Sequence, residues 1–276
     1  MTKIPIFIFF LLFPLTMRSQ EEICIGKKHN LFSSVLQEER QYWVHVPDDY
    51  QQDTTQAYPV IYLLDGNAYF HSLVGISITA GSGRGEMMPS CIIVGILNTD
   101  RTRDLTPTAS AAGRDGKVTP GETLKGGGAD KFTEFLTGEL RNTIGNHYRT
   151  NGQNLLIGHS YGGLFTLNMF LKHTGLFDKY LVLDPSLWWD AGKLSKEALT
   201  WVQGKDFTGK SLYVGVATKK RTDRIDIHQA TINYLLEEIL PQARNLNYYS
   251  KSFPEENHGT VVIPGIYDGI KQLFEK

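Results

Sequence analysis

The chain has 276 residues, 41% of them hydrophobic and 21% charged, which suits one sizeable folded domain and excludes a disordered chain. A formal net charge of −1 leaves no general basic surplus for nucleic acid or an anionic membrane. Two cysteines exclude a disulfide scaffold and a multi-cysteine zinc site, and the eight histidines show no metal-ligand spacing.

At the start, Met1-Thr2-Lys3 precedes an apolar run over 4–15, broken by Pro5 and Pro14, with Ser19 just beyond it. A positive start, a short apolar stretch and a small residue read as a secretory signal peptide over 1–20. Residues 21–276 are then the mature domain of an exported protein, periplasmic or extracellular. The run is too short to span a bilayer comfortably, so no stable membrane insertion is expected.

Residues 23–36 and 41–46 read as two strands of a hairpin. Nearly continuous apolar runs follow at 58–64, 91–97, 154–158, 179–184 and 211–217, and a last strand is expected at 246–253. Such runs suit strands of a parallel sheet covered on both faces. Helical patterns lie at 129–148, 164–172, 194–202, 225–240 and 262–274. The first carries Phe132, Phe135, Leu136 and Leu140 at helical spacing. The alternation predicts an α/β three-layer sandwich with a mostly parallel, doubly wound sheet and right-handed crossovers. The Gly-rich stretch 101–128 reads as a loop over one edge of that sheet. Cys91 falls in a strand and reads as a buried inert thiol rather than a bridge to Cys24.

Between the strand at 154–158 and the helix at 164–172 stands Gly158-His159-Ser160-Tyr161-Gly162-Gly163. A Gly-x-Ser-x-Gly motif in strand–turn–helix context is the signature of a nucleophile elbow, which lifts the serine hydroxyl to the carboxyl end of the sheet. A serine needs a base to remove its proton. In this chain order the base comes last, and His258 is the only histidine after the last strand. His228 lies earlier, inside a helical pattern. The acid that orients the base is expected after the strand at 211–217. Asp223 is the first choice and Asp226 the second, with Glu255, Glu256 or a Ser–His dyad left open. The oxyanion donors expected are the backbone N–H of Tyr161 and that of Asn67, with Gly66 making the turn before it.

Tyr62-Leu63-Leu64-Asp65-Gly66-Asn67, Arg101-Thr102-Arg103-Asp104-Leu105-Thr106-Pro107, the Gly158–Gly163 motif, Asp184-Pro185-Ser186-Leu187-Trp188-Trp189 and His258-Gly259-Thr260 occur in that order. Together they resemble the "putative esterase" branch of the α/β-hydrolases, which includes siderophore esterases, S-formylglutathione hydrolases, feruloyl esterases and mycolyltransferases. The Arg-x-Arg-Asp-Leu-Thr-Pro and Pro-Ser-Leu-Trp-Trp segments are most similar to the siderophore-esterase group. Two departures stand out. The family pattern has serine before Pro185, where this chain has Asp184. In feruloyl-esterase-like members an acid stands three residues after the strand glycine, where this chain has Thr218.

The resemblance implies a serine-dependent carboxylic ester hydrolase that works through an acyl-enzyme and needs no cofactor or metal. Arg101, Arg103, Trp188, Trp189 and the run Lys219-Lys220-Arg221 all follow strands of the sheet. Cations and aromatics on one rim suit a small anionic or aromatic ester, such as a siderophore ester. The competing expectations are a thioesterase or acyltransferase using the same site, and a non-catalytic siderophore-binding protein of the same fold.

Overall fold

Continuous apolar runs, buried on both faces, build the centre of this fold. The computed structural model describes residues 22–81, 87–219 and 227–275. The expected signal peptide lies outside them, as do Lys220, Arg221, Asp223 and Asp226. The early hairpin forms from β1 (Lys27–Ser33) and β2 (Glu38–His45). The central strands are β3 (Tyr58–Leu63) and β4 (Ile92–Ile96). Two short strands, β5 (Ala109–Ser110) and β6 (Lys125–Gly126), make a ladder of their own. The main sheet continues with β7 (Thr150–His159), β8 (Lys179–Leu183), β9 (Ser211–Ala217) and β10 (Asn247–Phe253). Its order is β1-β2-β4-β3-β7-β8-β9-β10. Only the pairings of β2 with β1 and with β4 are antiparallel.

Both faces of the sheet are covered. Val60, Tyr62, Leu156, Val182 and Val214 point into one apolar layer with Phe132, Phe165 and Phe170, while Ile61, Leu63, Ile157 and Leu181 point into the other with Phe70, Ile266 and Ile270. Alternate residues of each strand thus serve opposite layers, and every residue of β3 is buried. Expected hairpin, parallel sheet and flanking helices are all present.

The helices depart from expectation in instructive ways. α1 (Gly66–Gly81) has no counterpart in the sequence reading. Its Gly75, Val74, Ile76, Ile78 and Thr79 are weak helix formers, and burial of Phe70, Leu73, Val74 and Ala80 overrides them. Gly66 must be glycine, because a Cβ there would lie 2.6 Å from the Gly95 carbonyl carbon. The stretch 101–128 is not only loop: it opens with α2 (Arg101–Leu105), capped by the Asp100 side chain, which accepts the Arg103 N–H. The helix expected at 129–148 is α3 (Ala129–Glu134), a wide π turn over Phe135–Leu140, and α4 (Arg141–His147). α5 (Tyr161–Lys172) and α6 (Trp189–Val202) begin earlier than expected. α7 (Ile227–Tyr234) and α8 (Val262–Phe274) complete the set. No helix among the described residues is long and apolar enough to cross a membrane. Cys24 and Cys91 are both free, and burial pushes the Cys91 thiol up to about 12.

A charge network fixes α2 to the sheet. Arg40 is 1% exposed and donates to Asp104 at 2.7 Å and to Glu38 at 2.9 Å. Its guanidinium lies over the rings of Phe132 and Phe135. Arg103 closes the square, with Nε on Asp104 at 2.7 Å and Nη2 on Glu38 at 2.6 Å. Arg103, expected on a substrate rim, is therefore committed to holding α2, because both carboxylates face its guanidinium. Removing one partner of a buried pair strands the other charge. Asp104→Asn should lower the unfolding free energy by about 3 kcal/mol in a urea titration. A loss under about 1 kcal/mol would mean that the network carries no such weight.

Candidate active site

β7 ends at His159 and α5 begins at Tyr161, so Ser160 alone makes the bend, at φ 59° and ψ −117°. Few non-glycine residues tolerate that backbone. Three hydrogen bonds hold it. The Ser160 N–H donates to Leu183 O at 3.0 Å, and Ser160 O accepts from Leu164 N–H at 2.9 Å and Ser186 N–H at 3.0 Å. The turn is so tight that a Cβ on Gly158 would sit 2.1 Å from the Gly162 carbonyl oxygen. On the other flank a Cβ on Gly163 would sit 2.9 Å from the Leu183 carbonyl oxygen.

The half-buried Ser160 places Oγ 3.0 Å from Nε2 of His258. Nδ1 of His258 lies 2.5 Å from Oδ2 of Asp184, whose side chain is 4% exposed. The other oxygen of Asp184 accepts the Ala217 N–H at 3.2 Å, so the end of β9 orients the carboxylate. The structure brings Ser160 and His258 together as expected, and the carboxylate it sets at the His258 ring is Asp184. Asp223 and Asp226 lie outside the described residues. The position either would need, at Nδ1, is filled by Asp184. Among the described residues, neither Glu255 nor Glu256 bonds to the His258 ring. Asp184 was legible only as the odd residue before Pro185.

His258 stands on the loop between β10 and α8. There Asn257 Oδ1 accepts the N–H groups of Gly259 at 2.9 Å and Thr260 at 3.2 Å. The His258 carbonyl accepts Nε2–H of His159 at 2.7 Å, and Nδ1 of His159 accepts the Tyr69 hydroxyl at 3.3 Å. Burial first, and then the neighbouring His258, lower His159 to about 4. This second imidazole is a neutral strut that fixes the backbone of the first. Nothing in the motif signals that role beyond the histidine beside the serine.

Tyr161 is the first residue of α5 and Asn67 the second of α1. First-turn N–H groups have no intrahelical acceptor. Among the described residues neither amide has an acceptor. Asp65, just before α1, takes Nε of Arg101 at 2.6 Å and Nη2 at 2.9 Å, and Arg101 also donates to His159 O at 3.3 Å. The guanidinium lies 5.3 Å over the Tyr161 ring. Arg101 thus couples the starts of α1 and α5, and its side chain keeps 33% of its surface in solvent. The aromatic rim is a correction. Trp188 is 9% exposed and Trp189 6%, and both pack against Tyr161. Trp189 Nε1–H donates to Thr108 O at 2.9 Å. These rings support the site from beneath, because the stretch after Thr106 folds over them. Arg114, over the Trp188 ring at 5.3 Å, is an exposed cation nearby. Lys219 is exposed, with its N–H on Glu256 O at 3.3 Å.

Among the described residues no three His, Cys, Asp or Glu side chains cluster as metal ligands. A cavity of about 250 Å³ lined by His45, Asp48, Asp49 and Cys91 lies toward the amino end of β4 and includes none of these candidate residues.

Comparison with known proteins shows the family. The family model described as "Putative esterase" matches residues 33–259. The siderophore enterobactin esterase of Emericella nidulans is 28% identical over 249 residues, covering 77% of this chain and 81% of that protein. The ferri-bacillibactin esterase BesA of Bacillus subtilis is 31% identical over 166 residues, 55% of this chain and 56% of that protein. A crystal structure of an IroE-like serine hydrolase from Shewanella oneidensis superposes with a TM-score of 0.84 at 34% identity, covering 91% of this chain and 80% of that one.

The buried His159 has a measurable signature. The unfolded chain takes up a proton on it near 6.5, the folded protein only near 4. Between those values acid protonates the unfolded state alone, so stability falls as pH drops through that window. Urea titrations at pH 7 and pH 4.5 should show the parent losing on the order of 2 kcal/mol more than His159→Gln. Equal losses in both proteins would show that His159 is not held neutral.

Proposed function

Since this chain belongs to the esterase family and has the α/β-hydrolase fold, we propose that it is a serine-dependent carboxylic ester hydrolase acting through an acyl-enzyme. The observation that carries this is the linear relay from Asp184 Oδ2 through the His258 ring to Ser160 Oγ, at 2.5 and 3.0 Å. Asp184 accepts Nδ1–H and so fixes the tautomer that leaves a lone pair on Nε2. Ser160 Oγ attacks the ester carbonyl while Nε2 takes its proton. The Tyr161 and Asn67 amides are aimed at the oxyanion of the tetrahedral intermediate. Nε2 then returns the proton to the leaving alcohol. A water, deprotonated by the same nitrogen, releases the acid. Asp184 stabilises the imidazolium that forms twice in this cycle.

For the substrate class we propose a siderophore ester. Support comes from the relatives named above and from two cations, Arg101 and Arg114, flanking Tyr161 and Trp188. The buried Trp188 and Trp189 add shape to that flank and no open stacking face. Export is part of the same proposal and rests on the pattern of residues 1–20.

Ser160→Ala should abolish hydrolysis of p-nitrophenyl esters and of ferric siderophore esters with no loss of fold. Residual turnover near the parent's rate would refute the nucleophile. Asp184→Asn should cut kcat roughly a thousandfold or more, while Asp223→Asn stays within about threefold of the parent. The reverse ranking would return the orienting role to Asp223.

A further inference from the structure

Ser186 is 1% exposed, and among the described residues its hydroxyl has one partner, Oγ of Ser160, at 3.2 Å. Its place is fixed from several sides. It follows Pro185, its N–H donates to Ser160 O at 3.0 Å, and its carbonyl accepts the Trp189 N–H at 3.0 Å. A buried hydroxyl with a single partner gains most when that partner carries charge.

Proton counting gives the direction of this bond. Asp184 is an acceptor for Nδ1–H, so Nε2 of His258 has no proton and accepts one from Ser160. Ser160 has a single hydroxyl proton, and Nε2 takes it. The hydrogen between the two serines therefore belongs to Ser186, and Ser160 Oγ is its acceptor.

Building on the serine-esterase proposal, we infer that Ser186 is a further catalytic residue: its hydroxyl donates to Ser160 Oγ and stabilises that oxygen as the acyl bond breaks. In the acyl-enzyme Oγ is an ester oxygen, a weak acceptor. Water then attacks the acyl carbon and gives its proton to Nε2. As the intermediate collapses, the C–Oγ bond breaks, its electron pair moves to Oγ, and Nε2 returns the proton there. Ser186 keeps its own proton throughout. Its bond strengthens in this step because charge develops on the oxygen it already touches. Deacylation gains more than acylation, because it starts from an ester oxygen that accepts weakly, whereas acylation starts from a hydroxyl oxygen that the same bond already serves.

The test compares two rates in the full chain. kcat/KM for p-nitrophenyl acetate reports acylation, and intact-protein mass spectrometry after a pulse of that ester follows decay of the acyl-enzyme. Ser186→Ala should lengthen the acyl-enzyme lifetime about tenfold or more while kcat/KM falls by a smaller factor. Ser186→Thr, which keeps the hydroxyl, should recover much of the lifetime where it matches the parent's melting temperature. An acyl-enzyme as short-lived in Ser186→Ala as in the parent overturns the role. So does a lifetime that lengthens by no more than acylation slows. Ser160→Ala separates the two levels: if it still becomes acylated, the nucleophile is wrong, whereas an inert Ser160→Ala beside an unaltered Ser186→Ala removes only Ser186.

Discussion

The backbone of Ser160 can hold a positive φ only because the ends of neighbouring elements bond around it. Such a conformation costs of order 1–3 kcal/mol. Three hydrogen bonds, to Leu183, Leu164 and Ser186, offset that cost. Everything else at the site is placed relative to this bend. His159 pairs with Leu183 across β7 and β8. The next residue on each strand is therefore Ser160 on one and Asp184 on the other. Two residues left side by side by sheet register become the two ends of the relay, and a loop needs to add only the imidazole between them.

That imidazole is controlled at three points. Its nitrogens are taken by Asp184 and Ser160, and the backbone carbonyl of His258 accepts from His159. The buried His159 stays neutral, so it holds His258 without adding a competing positive charge. The Arg101–Asp65 pair does the corresponding work on the opposite flank, where α1 and α5 begin.

Much of this was legible in the sequence, for reasons that can be named. Continuous apolar runs marked the parallel strands, since both faces are buried. The glycines around Ser160 marked the bend, since a side chain at Gly158 or Gly163 would run into backbone. His258 followed from chain order alone. The carboxylate at Nδ1 was not legible, because a single carboxylate gives no local signal and a partner there can arrive from either the end of β8 or the stretch after β9. α1 escaped because its residues are poor helix formers that fold only against the sheet. Arg103, Trp188 and Trp189 carried the right chemistry for a rim, but a loop stretch and a carboxylate pair absorb them, and both are tertiary facts.

With its carboxylate at the residue after β8, the proposed relay does not draw its acid from the connection that follows β9. That connection, rich in lysine and arginine, would then carry no part of the proton path. Sites whose acid hangs on that connection have no such separation. Here a lineage could remodel what approaches the serine while the proton path stays fixed in the sheet.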